Sequence, residues 1–212
     1  MLTLVVGVFS SCSSDDDSSS KFNDVTLIAG STQQIANSDG INWKSENDLI
    51  AEVENGTIKA YRVGEVRIAS EKGSFIVKVT PQYSYYTEPY LNFGATIQSV
   101  KKQMKGYSLI SEDSKSLLYK GTGYTSGYLY SFENSALKYS YILTSSSYVT
   151  EVANWTAERY VYVTQTDDYI GLITPDKKIM VLIVPMKIGG SWYYTISYGK
   201  FEKNSSNAKA NR

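Results

Sequence analysis

Between residues 22 and 81 the hydrophobic positions come in short runs with polar neighbours. The runs are VTLIA, GINW, IAEVENGTIKAY, GEVRIAS and GSFIVKVTP, separated by turn residues. Ile58 and Ala60, then Val66 and Ile68, recur at every second residue, the spacing of a strand with one buried face. Asn55-Gly56 lies between Ile50-Ala51-Glu52-Val53 and Thr57-Ile58-Lys59-Ala60. Both residues tolerate positive φ, so the pair predicts a two-residue hairpin turn. The stretch shows no 3.6-residue periodicity. Short strands at this spacing predict a small β-sandwich, with Trp43 expected in its core rather than stacked on a ligand.

A change of pattern follows. Pro81 to Tyr90 holds two prolines and four tyrosines, which predicts a semi-rigid connection. Thr96 is then a plausible N-cap, Ile97, Val100 and Met104 fall at helical spacing, and Gly106 suits the helix end. SLLYKG, GYLYSFE and ALKYSYIL read as strands, with turns at Gly121-Thr122-Gly123 and Glu133-Asn134-Ser135. The pattern then restarts. Ser147 caps a second predicted helix in which Val149, Val152, Ala153, Thr156 and Tyr160 share a face. YVYVTQ, YIGLITP, KIMVLIVPM and SWYYTISYG follow, with turns at Asp167-Asp168, Asp176-Lys177 and Gly189-Gly190. Residues 85–201 thus predict a helix plus an antiparallel meander, twice over. One curved sheet with both helices on one face is the expected architecture. The fold class expected is mainly β in two domains: a β-sandwich over 22–81 and an α+β domain over 85–201, with a disordered tail over 202–212.

Composition narrows the chemistry. There is no histidine, which removes imidazole-based catalysis, and the lone cysteine cannot build a zinc site. Lysine plus arginine and aspartate plus glutamate number 21 each, so net charge gives no case for nucleic acid. No catalytic residue, metal or cofactor is expected. A glycan hydrolase working through two carboxylates is the alternative enzyme class, with Glu133 and Asp167-Asp168 as candidates. Adjacent aspartates in a hairpin turn point apart, however, and read as turn-formers. Lys101, Lys102 and Lys105 read as the solvated face of the first helix.

The chain holds 19 tyrosines, and many sit on the strands of the second domain. Alternation puts Tyr128, Tyr130 and Phe132 on one face of their strand, and Tyr139 with Tyr141 on one face of the next. Facing outward, they would form an aromatic patch for a glycan or a protein; facing inward, they would be core. Trp192, Tyr193, Tyr194 and Tyr198 cluster near the end, and Trp192 follows a glycine turn. The candidate ligand contacts are Trp192, Tyr194, Tyr128 and Tyr130.

Leu2 to Phe9 (LTLVVGVF) is too short to span a bilayer as a helix but has the length of a signal-peptide core. Val8-Phe9-Ser10-Ser11-Cys12 resembles a bacterial lipobox. That resemblance implies a signal peptide over 1–11 and a lipid on Cys12, through which the chain would reach a membrane. Residues 12–21, rich in serine and aspartate, then read as a flexible tether. The stretch is similar to the acidic sequence after the lipidated cysteine of surface-exposed Bacteroidetes lipoproteins. This implies an outer-membrane location at the cell surface, with the periplasmic face as the alternative.

Trp43-Lys44-Ser45, Ile50-Ala51-Glu52-Val53, Asn55-Gly56-Thr57-Ile58-Lys59-Ala60 and Gly64-Glu65-Val66-Arg67-Ile68 together resemble a bacterial immunoglobulin-like group 2 domain. Gly30, Val77 and Val79 fit the same pattern. Such domains are stalks and adhesion modules, so the resemblance implies display and no chemistry. The two helix-and-meander units resemble the β-lactamase-inhibitor-like fold. The expectation is a lipid-anchored, non-enzymatic binding or adhesion module that presents a sheet surface to a glycan or protein. An inhibitor of an envelope enzyme is the alternative.

Overall fold

The computed structural model describes residues 22–36, 38–188 and 191–202. The leader, Cys12 and its tether, the Gly189-Gly190 turn and the tail beyond Glu202 lie outside the described residues. The protein is mainly β, with several sheets and two short α-helices.

The first strands are β1 (Val25–Ile28), β2 (Thr32–Gln34), β3 (Lys44–Ser45), β4 (Ala51–Glu54), β5 (Thr57–Ala60), β6 (Gly64–Ser70) and β7 (Gly73–Thr80). They form a four-stranded sheet, β1-β7-β6-β3, and a three-stranded sheet, β2-β5-β4. The alternating residues meet between them: Ile58 and Ala60 from one sheet, Val66, Ile68, Val77 and Val79 from the other. Trp43 is buried there, edge-on to Phe75 at 5.4 Å between ring centroids. GINW itself forms no strand; pairing begins only at Lys44, after the tryptophan has turned inward. β2, whose three residues are all exposed, gave no hydrophobic signal.

Asn55 and Gly56 link β4 to β5 with φ of 49° and 72°, as the hairpin signal requires. A Cβ on Gly56 would overlap Ser38 Oγ and lie 2.9 Å from Gln34 Nε2. Gly56→Val is therefore expected to cost about 2 kcal/mol, from backbone strain and displacement of the Ser38 loop. Gly40 also has positive φ, 71°, but nothing lies within 4 Å of a Cβ there. Gly40→Ala should cost only about 1 kcal/mol. Urea denaturation of both variants checks the difference.

Each helix precedes a four-stranded meander. α1 (Ile97–Gln103) leads into β8 (Leu109–Glu112), β9 (Ser116–Lys120), β10 (Gly127–Glu133) and β11 (Ala136–Ser145). α2 (Val149–Ala157) leads into β12 (Val161–Gln165), β13 (Ile170–Ile173), β14 (Ile179–Ile188) and β15 (Ser191–Lys200). The meanders join through their last strands into one eight-stranded sheet, β12-β13-β14-β15-β11-β10-β9-β8. At the seam Ile142 opposes Ile196, both fully buried.

Both helices lie on one face of this sheet. Val100 and Met104 of α1 and Val152 and Trp155 of α2 share a cluster with Tyr130, Ile142 and Ile196. Thr96 caps α1 as its position predicts, its Oγ1 accepting from Ser99 N–H at 3.3 Å. Ser147 does not cap α2. Ser145 Oγ instead accepts from Ser147 N–H at 3.3 Å, capping a 3-10 turn over 146–148 that runs into α2. The connection after Thr80 is more than a linker, because it crosses the helix face as part of the core. Tyr86 is buried against Trp155, and Ser140 Oγ donates to Tyr90 O at 2.7 Å.

Candidate binding surface

Pleating settles which side chains face the helices and which face away. On β10 the helix side takes Tyr128, Tyr130 and Phe132; on β11 it takes Ser140, Ile142 and Thr144; on β15 it takes Tyr194, Ile196 and Tyr198. Two of the sequence candidates are therefore core residues. Tyr128 and Tyr130 are 5% and 0% exposed. Tyr130 Oη donates to Met104 Sδ at 3.0 Å and accepts from Tyr90 N–H at 3.3 Å, while burial drives its phenol far above the ordinary range. Neither is open to a ligand. Trp192 is 55% exposed at the start of β15, with Lys187 Nζ 5.9 Å from its ring centroid. Tyr194, two residues on, packs half-buried against the core under α2. The four candidates do not converge on one site.

The face turned away from the helices carries a second set of residues. Cross-strand rows run Leu118, Leu129, Tyr141, Ser197, Leu182 and then Gly127, Leu143, Thr195, Val184. Tyr139 and Met180 stand towards one end, Met186 towards the other, all at least partly exposed. From β10 through β11 and β15 to β14, these positions carry no charge. A solvated sheet face normally alternates to polar residues, so an apolar one calls for a partner.

The face also has relief. β15 presents only Thr195, Ser197 and Gly199 along its middle, whereas β11 presents Tyr139, Tyr141 and Leu143 and β14 presents Met180, Leu182 and Val184. Small residues between two bulky rows about 10 Å apart define a trough along β15 that the Tyr139 ring and the Tyr141 hydroxyl partly fill, leaving Thr195 on its floor 2% exposed. Gly199 lets the Tyr139 ring pack closely at its end, since a Cβ there would lie 3.0 Å from the ring. Burial raises the Tyr141 phenol, and a hydrogen bond with Ser197 partly offsets this. The tyrosine stays neutral at ordinary pH and offers the trough a hydroxyl.

A cleft of 630 Å³ adjoins this face where the β10–β11 turn meets the end of β15. Tyr139, Phe93 and Phe201 line it with Glu133 and Glu202, and Glu133 lies 3.7 Å from Lys138 Nζ. Asp167 and Asp168 sit elsewhere, in the β12–β13 turn, where Thr166 Oγ1 accepts from Asp168 N–H at 3.2 Å. The sheet order places β14, β15 and β11 between that turn and β10, so Glu133 and the aspartates share no site. Among the described residues no helix is long and apolar enough to cross a membrane. Compared with protein-family models, curated proteins and solved structures, the chain gives no significant match to any of them.

Proposed function

We propose that the chain is a non-enzymatic binding module of the cell envelope whose helix-free sheet face docks a protein. In this reading Cys12 carries the lipid anchor, residues 22–81 form an immunoglobulin-like stalk, and residues 85–201 form the binding domain, similar in plan to the β-lactamase-inhibitor-like fold. The observation that carries it is the set of charge-free outward rows across the middle of β10, β11, β15 and β14. Leucine, valine, methionine and tyrosine around a trough are the composition of a protein interface core. A trough along one strand suits an inserted loop or extended segment, which is also how an inhibitor of an envelope enzyme would work. A glycan is the second reading, favoured by Tyr139, Phe93 and Phe201 at the cleft.

The test places a photocrosslinking amino acid at Tyr141 of the full-length protein in intact cells, with Lys78 on the first sheet as control. A discrete protein adduct at position 141, absent at 78 and lost when Leu182→Lys is added, is the expected result. Labelled fatty acid should enter the wild type but not Cys12→Ala. The reading fails if position 141 gives no adduct, or if the adduct survives Leu182→Lys.

A further inference from the structure

A second cavity lies on the opposite side of the sheet, under α2. Its volume is 320 Å³. Val149, Val152, Ala153 and Thr156 of α2 form one wall, and Leu172, Ile183 and Tyr194 form the floor. Of the helix stripe read from the sequence, Val152, Thr156 and Tyr160 are buried, while Val149 and Ala153 border this space. Trp155, which the stripe omitted, is fully buried beside them. Trp155 packs against Tyr86 and Tyr160, while Ala153 and Ala157, too short to reach the sheet, leave the gap beside it. Val149 and Tyr162, 53% and 59% exposed, mark its mouth.

One charged side chain enters this apolar lining: Arg62, from the turn between β5 and β6. Its Nε donates to Tyr160 O at 3.0 Å and its Nη1 to Leu49 O at 3.1 Å. Two backbone carbonyls therefore fix the guanidinium plane. A guanidinium has five N–H donors, and the remaining three, including both on Nη2, have no partner among the described residues. No carboxylate among the described residues lies in ion-pair range of Arg62, whereas Arg159 pairs with Glu158. Burial depresses the Arg62 pKa, the mark of a cation partly removed from water without a counter-charge.

From this juxtaposition we infer that the α2 cavity binds a medium-chain carboxylate, its acyl chain between α2 and the sheet and its head on Arg62. The apolar walls suit the chain, and the prepositioned fork suits the two carboxylate oxygens. At about 30 Å³ per water-sized group, the volume holds on the order of ten such groups, a chain of about eight to ten carbons. The site is on the face opposite the trough, so the inference stands or falls separately from the docking reading.

Titration of the full chain with decanoate, kept below its micellar concentration, tests it, followed by calorimetry and by ligand-observed NMR. One equivalent should bind, and decanol should bind at least about tenfold more weakly, because it lacks the charge that Arg62 meets. Arg62→Gln should weaken decanoate binding about tenfold, by the loss of the charge-assisted pair. Ala153→Phe, at an exposed helix position, should fill the cavity and abolish binding while the melting temperature holds. Equal affinity for decanol and decanoate, undiminished binding to Ala153→Phe, or no binding by either method would overturn the inference.

Discussion

Trp155→Ala is expected to destabilise the protein by about 3–5 kcal/mol, the range for removing a large buried aromatic. The indole is fully buried between α2, the crossing segment and the sheet. It meets Tyr86 at 5.5 Å and Tyr160 at 5.9 Å, both edge-on, and the Arg159 guanidinium lies 4.5 Å from its ring centroid. Alanine would remove all three contacts together, and the surrounding elements belong to three separate stretches of chain that cannot close the hole in concert. Trp155→Phe should be much milder, about 1–2 kcal/mol. The indole Nε1 is buried without a hydrogen-bond partner, so phenylalanine removes a desolvated donor along with some contact area. Urea denaturation followed by circular dichroism gives both values. A loss under about 1 kcal/mol for alanine would mean that α2 is not anchored through this residue.

Glu158→Ala is expected to have an effect of similar size, about 3–5 kcal/mol, localised at one junction. The carboxylate is buried just past the end of α2. It accepts from Gln82 N–H at 2.8 Å and from Tyr83 N–H at 3.1 Å, and pairs with Arg159. Arg159 Nη2 in turn donates to Tyr83 O at 3.1 Å, and the Glu158 backbone carbonyl accepts from Val63 N–H at 2.7 Å. Removing the carboxylate leaves two backbone donors unpaired and the Arg159 guanidinium without its counter-charge at the point where the chain leaves β7. Glu158→Ala with Arg159→Met should lose less than the sum of the single changes, because neither charge is then stranded. Limited proteolysis should find a new cut between residues 81 and 84 in Glu158→Ala. An intact connection with unchanged stability would show that the two hydrophobic clusters are held together by other contacts.

Neither residue stood out in the sequence, for physical reasons. Trp155 lies beside the stripe, of which Val152 and Thr156 are buried with it, and periodicity alone cannot say how wide the buried face of a short helix will be. Glu158 looks like any charged residue after a helix; its acceptor role comes from backbone donors 76 and 75 residues away. Local signals did better. Asn55-Gly56 makes its hairpin because its φ requirement lies within two residues, and Thr96 caps α1 for a similar reason. β8 was missed because all four of its residues are exposed at the sheet edge, leaving no alternation to read.

The surface was half legible. Alternation grouped Tyr128 with Tyr130 and Tyr139 with Tyr141 correctly, but which group faces the helices depends on the register between strands. A clue to the outward face was available. KIMVLIVPM is apolar at both parities, as expected for a strand covered on both sides, whereas YTISYG alternates large with small. Trp192 drew notice as a large residue after a glycine turn, yet exposure alone gave it no partner residues for a site.

The position of β15 sets a timetable for folding. It follows every other strand of the eight-stranded sheet in the chain, yet it sits inside the sheet, with three strands on one side and four on the other. Until it arrives, the first meander ends in a bare edge at β11 and the second lacks its innermost strand. Neither half can recruit the other, because β15 is the only link between them in the strand order. The closing step joins residues far apart in sequence, which makes it slow and exposes two unpaired edges in the meantime. A nascent chain would carry both edges until β15 emerged, so this is the interval in which a chaperone has the most to cover.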